Sequence, residues 1–187
     1  LIQPTYGNLI YKGRPIHFRT PADALAYGIE TVYQHPALVE QLDVANNVYL
    51  GRQTYRRGAV GRWLGVLDRR HMREQIATVL SQLHIKIPAP TLPVSTMSGG
   101  QRQAVAIGRA VTRGRELLIL DEPTAALGVE ETEQVLQMIK KLRDQQGISI
   151  LIISHNMQDV YRIADRIVVL RQGRHVATIN KRDTSPR

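Results

Sequence analysis

The stretch Leu117–Thr124, LLILDEPT, constrains this chain more than any other. Leu117, Leu118, Ile119 and Leu120 form an apolar run without alternation. That pattern suits a strand buried on both faces of a parallel sheet. The run ends in two adjacent carboxylates, Asp121 and Glu122. Open α/β sheets bind ligands at the carboxyl ends of their strands. An acid there can hold a metal ion while its neighbour orients or deprotonates a water, the pair that phosphoryl transfer needs. Taken in isolation, the same residues also fit an ordinary acidic turn before Pro123.

Charge narrows the partners. The net charge of +9 and a pI near 10.2 favour anions: a nucleotide, a nucleic acid or an anionic membrane surface. The 187 residues have the length of one domain with a sizeable core. The absence of cysteine excludes disulfides and thiolate metal sites, and it fits a cytosolic setting. No apolar run approaches the roughly 18 residues of a membrane span.

Along the chain, Leu1–Gly7 reads as the end of a helix broken at Pro4 and Gly7, in the middle of a longer protein. Asn8–Tyr11 and Pro15–Phe18 read as a hairpin around Lys12-Gly13-Arg14. Thr20 caps a predicted short helix from Pro21 to Tyr27, and Glu30–Tyr33 is a short strand. Val44–Leu50 reads as a helix, and Arg52–Gly65 as an exposed, mobile basic loop. From Asp68 to about Leu83, Met72, Ile76, Val79, Leu80 and Leu83 share one helical face. The stretch from Gln41 to Pro90 thus reads as a helical insertion in an α/β protein. Helices over Gly100–Thr112, Val129–Gln145 and Gln158–Ala164 then alternate with strands. Ser149–Ile153 reads as a second buried strand, and Arg166–Leu170 and His175–Ile179 as strands around Gln172-Gly173. Such alternation predicts a parallel sheet with right-handed crossovers.

A second signal precedes the carboxylates. Ser98-Gly99-Gly100-Gln101 opens a helix with a hydroxyl and bare backbone amides at the positive end of the helix dipole. This is an anion site suited to phosphate; the plainer reading is a Ser-Gly-Gly helix cap.

The signals keep a fixed order: MSGGQRQ, LLILDEPT 18 residues on (Gln103 to Asp121), and His155 a further 34 residues on, after ISILIIS. With these motifs the chain resembles the ATP-binding subunits of ABC transporters over essentially its whole length. Met97–Gln101 resembles the family signature, with Met97 where Leu is usual. Leu117–Asp121 resembles Walker B, Glu122 the catalytic glutamate, His155 the switch histidine, and Gln34 in TVYQHPAL the Q-loop glutamine. FRTPADALAYGIETVYQ, LDVANNVYLGR and DEPTAALGVEE look like the monosaccharide-uptake subunits of ribose and xylose type.

The resemblance implies a P-loop NTPase-like α/β fold, incomplete at its N-terminus, with an N-terminal β-hairpin. Its parts would be a partial nucleotide-binding core (1–33), a helical subdomain carrying the signature (34–115) and the remaining core (116–187). ATP and Mg²⁺ are the implied cofactors. Asp121 would bind the metal, and Gln34 would sense metal and γ-phosphate. Glu122 would polarise the attacking water, and His155 would contact the γ-phosphate and hold Glu122. Ser98, Gly99, Gly100 and Gln101 would complete the site of a second ATP-binding subunit. Transmembrane permease subunits would be direct partners and a substrate-binding protein an indirect one. The subunit would sit in the cytoplasm on the inner face of the membrane. Ala37, Leu38, Val39 and Leu42 would form the apolar dock.

Two departures qualify this. No G-x-x-x-x-G-K-[ST] occurs, nor any Gly-Lys dipeptide, so the Walker A phosphate cradle is absent from these 187 residues. In the family the strand leading into the Walker A loop lies beside the one matching Ser149–Ile153, and the chain by itself is expected to be inactive. At the D-loop, Gly128 stands where the family often has Asp. Two other readings remain: an ABC ATPase linked to nucleic acid in translation or repair, and a non-catalytic fragment. The charge and the arginines of Arg52–Arg73 motivate the first, but one Trp and one Phe offer little base stacking.

Overall fold

The computed structural model describes residues 4–56, 63–82, 87, 89–114 and 116–183. The expected helix end at Leu1–Gly7 falls partly on residues 1–3, outside these; Pro4–Gly7 form bends. The centre of the expected basic loop, residues 57–62, and the last apolar position of its helix, Leu83, also lie outside.

Strands β1 (Leu9–Tyr11) and β2 (Arg14–Ile16) pair antiparallel. Their turn is Lys12-Gly13, both at positive φ (50° and 74°), so Arg14 joins the strand rather than the turn. Helix α1 (Pro21–Ala26) starts at a capping box: the Thr20 hydroxyl accepts from the Asp23 amide, and the Asp23 carboxylate from the Thr20 amide. The parallel sheet has the order β3-β4-β5, with β3 at Ile29–Val32, β4 at Leu117–Asp121 and β5 at Ser149–Ile153. Between β3 and β4 run α2 (Val44–Val48), α3 (Arg69–Gln82) and α4 (Gly99–Arg113). Helix α5 (Val129–Gln146) returns the chain to β5. Helix α6 (Met157–Ile163) leads to the hairpin β6 (Arg166–Arg171) and β7 (Arg174–Asn180).

The core lies on one face of the sheet. Val32, Leu118 and Leu120 pack there with Ile107 and Val111 of α4 and with Leu136, Ile139 and Leu142 of α5. A second cluster joins Val44 and Val48 of α2, Ile76 and Leu80 of α3, Val94, Met97 and Val105. Helix α4 feeds both clusters, because Ile107 and Val105 leave it on different sides. Asn47, with no exposed surface, pins the loop before α2: its amide group donates to the carbonyls of Val39, Leu42 and Asp43, and its oxygen accepts from the Val39 amide.

Two expectations about the sheet require correction. β4 is not fully buried on both faces: Leu118 and Leu120 are enclosed, whereas Leu117 and Ile119 are only half-buried. β5 is not a buried strand, since Leu151 and Ile153 are half-exposed. In parallel register Ile119 faces Leu151 and Asp121 faces Ile153, so these residues share a pleat face. Helices α4 and α5 cover the opposite face, and β5 is the end strand among the described residues. An apolar run reports that water is disfavoured on both sides; it does not supply the second layer.

Candidate functional site

The chemistry-bearing residues sit at the carboxyl ends of the parallel strands. Val32 pairs with Leu120, so β3 and β4 end level, and Gln34 emerges exposed two residues past β3. Asp121 ends β4 against Ile153 of β5. The Glu122 amide still donates to the Ile153 carbonyl at 2.8 Å, but its φ of 46° turns the chain sharply there. A non-glycine residue in this left-handed region carries about 1–2 kcal/mol of strain. The turn aims the Glu122 side chain at the segment leaving β5.

Three groups of that segment meet the Glu122 carboxylate. The His155 ring, through Nδ1, lies 2.7 Å from Oε1, and the His155 amide donates to the same oxygen at 3.1 Å. The Ser154 hydroxyl donates to Oε2 at 3.4 Å. The Glu122 side chain is only 18% exposed, whereas the His155 ring is 84% exposed. So the carboxylate is fixed from behind, and the imidazole presents its outer edge, Nε2, to solvent.

Beneath this lies a buried tie. Thr124 and Asp159 are joined by a 2.8 Å hydrogen bond, and the Asn156 side chain caps α6 by accepting from the Gln158 and Asp159 amides. The turn after Glu122 and the helix after His155 are therefore joined through a buried hydrogen bond.

The Ser98–Gly100 group is built on other elements, α4 and α5. Ser98 caps α4: its hydroxyl accepts from the Gln101 amide at 3.3 Å, and the Gln101 side chain accepts from the Ser98 amide at 3.0 Å. The amides expected to be bare are thus partly satisfied. Gly100 is buried where α4 meets α5, and a Cβ there would lie 2.8 Å from the Glu131 Cβ. Two arginines anchor the far half of α4. Arg109 donates to the Ala37 carbonyl, and Arg113 donates to that of Leu50 at 2.7 Å. Burial pushes the Arg109 guanidinium below its ordinary value, an effect the nearby Arg113 reinforces. The signature helix is thereby tied to the segment that follows Gln34. Ser154, Asp159, Glu131 and Arg109 carry no motif of their own; only their placement shows what they touch.

The ABC transporter family matches at residues 1–125, and the P-loop domain of ABC ATPases at 67–184. The chain is 45% identical to the fructose import ATP-binding protein of Rhizobium meliloti over 183 residues, 97% of this chain and 70% of that protein. It is 38% identical to the xylose/arabinose import ATP-binding protein of Sulfolobus acidocaldarius, over 98% of this chain and 70% of that one. The chain belongs to the ABC transporter ATPase family. The fold agrees: a nucleotide-free ATP-binding cassette from an ABC transporter superposes with a TM-score of 0.77 at 22% identity, over 96% of this chain and 71% of that one.

In this ABC cassette the Asp121 carboxylate is half-buried and has no hydrogen-bond or ion-pair partner among the described residues. No cluster of three or more His, Asp or Glu side chains that could hold a metal occurs among them either. One free carboxylate beside a strand end fits Mg²⁺, which keeps most of its waters and takes few protein ligands together with substrate phosphates. It does not fit an ion that requires a full protein cage.

Proposed function

We propose that this ABC cassette is the ATP-hydrolysing subunit of an importer and that the imported solute is a sugar. The relatives named above support the sugar. The observation that carries the hydrolytic reading is the triple hold of Ser154 and His155 on Glu122.

The carboxylate of Glu122 accepts from the Ser154 hydroxyl, the His155 amide and Nδ1–H of the ring. It is thereby oriented, as required of a group that positions an attacking water. With Nδ1–H committed to Glu122, Nε2 is the free edge of the ring. Nε2 would contact the γ-phosphate. Asp121 would hold Mg²⁺, whose contribution is to offset phosphate charge. Gln34, just past the end of the neighbouring strand β3, would sense the metal and γ-phosphate. Ser98, Gly99, Gly100 and Gln101 would close the site of a second ATP-binding subunit in a sandwich dimer. The Walker A lysine and amides are not among these 187 residues, so the cradle must come from polypeptide outside them.

The lobe of residues 34–115 would dock on the permease through Ala37, Leu38, Val39 and Leu42. Ala37 and Val39 are exposed, and Leu38 and Leu42 are half-buried. None of the described helices is long and apolar enough to cross a membrane, and a peripheral place on the cytoplasmic face accords with that.

The test is Mg²⁺-dependent ATP turnover by the transporter assembled with its permease, the Walker A segment present. Glu122→Gln should lower turnover at least ~10²-fold and His155→Ala by a similar factor. Unchanged turnover in Glu122→Gln would refute the assignment.

A further inference from the structure

Two helix N-termini converge on one side chain. Glu131 lies in the first turn of α5, and its Oε2 accepts from the amide of Gly128, the N-cap, at 3.3 Å. The same side chain lies across the start of α4. A Cβ on Gly100 would meet Glu131 Cβ, Cγ and Cδ at 2.8, 3.0 and 3.2 Å, and a Cβ on Gly99 would sit 4.0 Å from Oε2. The 18-residue α5 and the 15-residue α4 thus direct their positive ends at one carboxylate. Accordingly Glu131 is held below the ordinary carboxylate range, first by a hydrogen bond from the Ser98 hydroxyl, then by the Gly128 amide and, against a small opposing effect of burial, by the Gly100 amide and the charge of Arg102.

We propose that Glu131 is a built-in anionic plug in the Ser98–Gly100 phosphate corner, which an incoming phosphate must displace. This rests on the reading above, that Ser98–Gly100 receives the phosphate of a partner subunit's nucleotide. The plug satisfies the Gly128 and Gly100 amides and the Ser98 hydroxyl. It also sets a threshold. A single weak anion must compete with an intramolecular carboxylate, whereas a polyphosphate held by a second subunit brings enough charge and contact to replace it. Glu130, the neighbouring acid, is exposed and makes no hydrogen bond among the described residues, so it provides the control.

The test is titration of the full chain with inorganic phosphate, followed by NMR at the Gly99 and Gly100 amides. Glu131→Gln keeps the shape and the acceptor for Gly128 but removes the charge. The dissociation constant at these amides should fall about tenfold in Glu131→Gln, since charge-assisted hydrogen bonds are roughly twice as strong as neutral ones. In Glu130→Gln it should change less than about twofold, as expected of a solvent-screened charge. In the unaltered chain the Glu131 carboxyl ¹³C resonance should move in step with the two amides, a measurement that depends on no variant. Equal phosphate affinity in the unaltered chain and Glu131→Gln, an equal gain in Glu130→Gln, or a static Glu131 resonance would each overturn the plug and leave the phosphate corner standing. No response of Gly99 and Gly100 in any of the proteins would overturn the corner itself, and the plug with it.

Discussion

The Thr124 hydroxyl donates a 2.8 Å hydrogen bond to the Asp159 carboxylate, and both side chains are buried, 9% and 6% exposed. The bond joins the turn that carries Glu122 to the helix that follows His155. Removing either partner leaves the other buried and unsatisfied, at about 1–3 kcal/mol. Asp159→Ala and Thr124→Val should each destabilise the chain by that amount in urea unfolding. The double variant should cost less than the two added together, with a coupling of at least about 0.5 kcal/mol. Strict additivity would show that the bond couples nothing.

The two faces of the sheet should respond differently to truncation. Leu118→Ala empties a site with no exposed surface between the sheet and the α4–α5 layer, and should cost about 2–5 kcal/mol. Leu151→Ala removes a side chain already 50% exposed, and should cost less than about 1 kcal/mol. Unfolding midpoints of the two variants decide this, and equal losses would contradict the open face.

Gly100 and Gly99 should separate in the same way. An alanine at Gly100 places its Cβ 2.8 Å from the Glu131 Cβ, an atom fixed to the α5 backbone, so the helices must part. The expected cost is about 1–3 kcal/mol. At Gly99 the nearest atom is the tip of Leu127, 3.2 Å away, which can rotate, so the cost should stay below about 1 kcal/mol. Thermal unfolding of the two single variants provides the comparison.

Acid should loosen α1 at its cap. The Asp23 carboxylate accepts from the Arg19 and Thr20 amides at 2.8 Å each. These bonds, that from Thr20 foremost, hold it below its ordinary value of 3.8. A depressed folded value means that the contribution is complete above pH 3.8 and is lost as the pH falls through the lower folded value. The Thr20 amide resonance should therefore shift only below pH 3.8, and the step should vanish in Asp23→Asn. A step centred above the ordinary value would reverse the sign and refute the cap.

Local signals were legible wherever a residue type has a single physical use. The Thr20 cap, the Gly13 turn and the buried stripe Met72, Ile76 and Leu80 of α3 could all be read from the sequence, whereas the reciprocal bond from Asp23 came from the structure. The order of signature, carboxylates and histidine indicated the family. Ser154 was visible only as the residue before His155, and Asp159 only as one more acid on a short helix. Their partners, Glu122 and Thr124, are 32 and 35 residues away, and sequence spacing holds no information about contacts across strands. The burial of Ser149–Ile153 was misread for a related reason. Apolarity records what a strand needs beside it, whereas exposure depends on what is beside it.

The sequence by itself determined the elements, the parallel pairing implied by their alternation, and which residues could carry charge to a phosphate. Hydrophobic period, capping residues and glycine positions act over a few residues, so they are written locally. Only the tertiary structure decided which of those residues meet. The left-handed turn at Glu122 brings its carboxylate to His155, the α4–α5 crossing lays Glu131 over Gly100, and the one-sided layering leaves Leu151 open. Each follows from how finished elements pack in three dimensions, and packing joins residues that no local propensity relates.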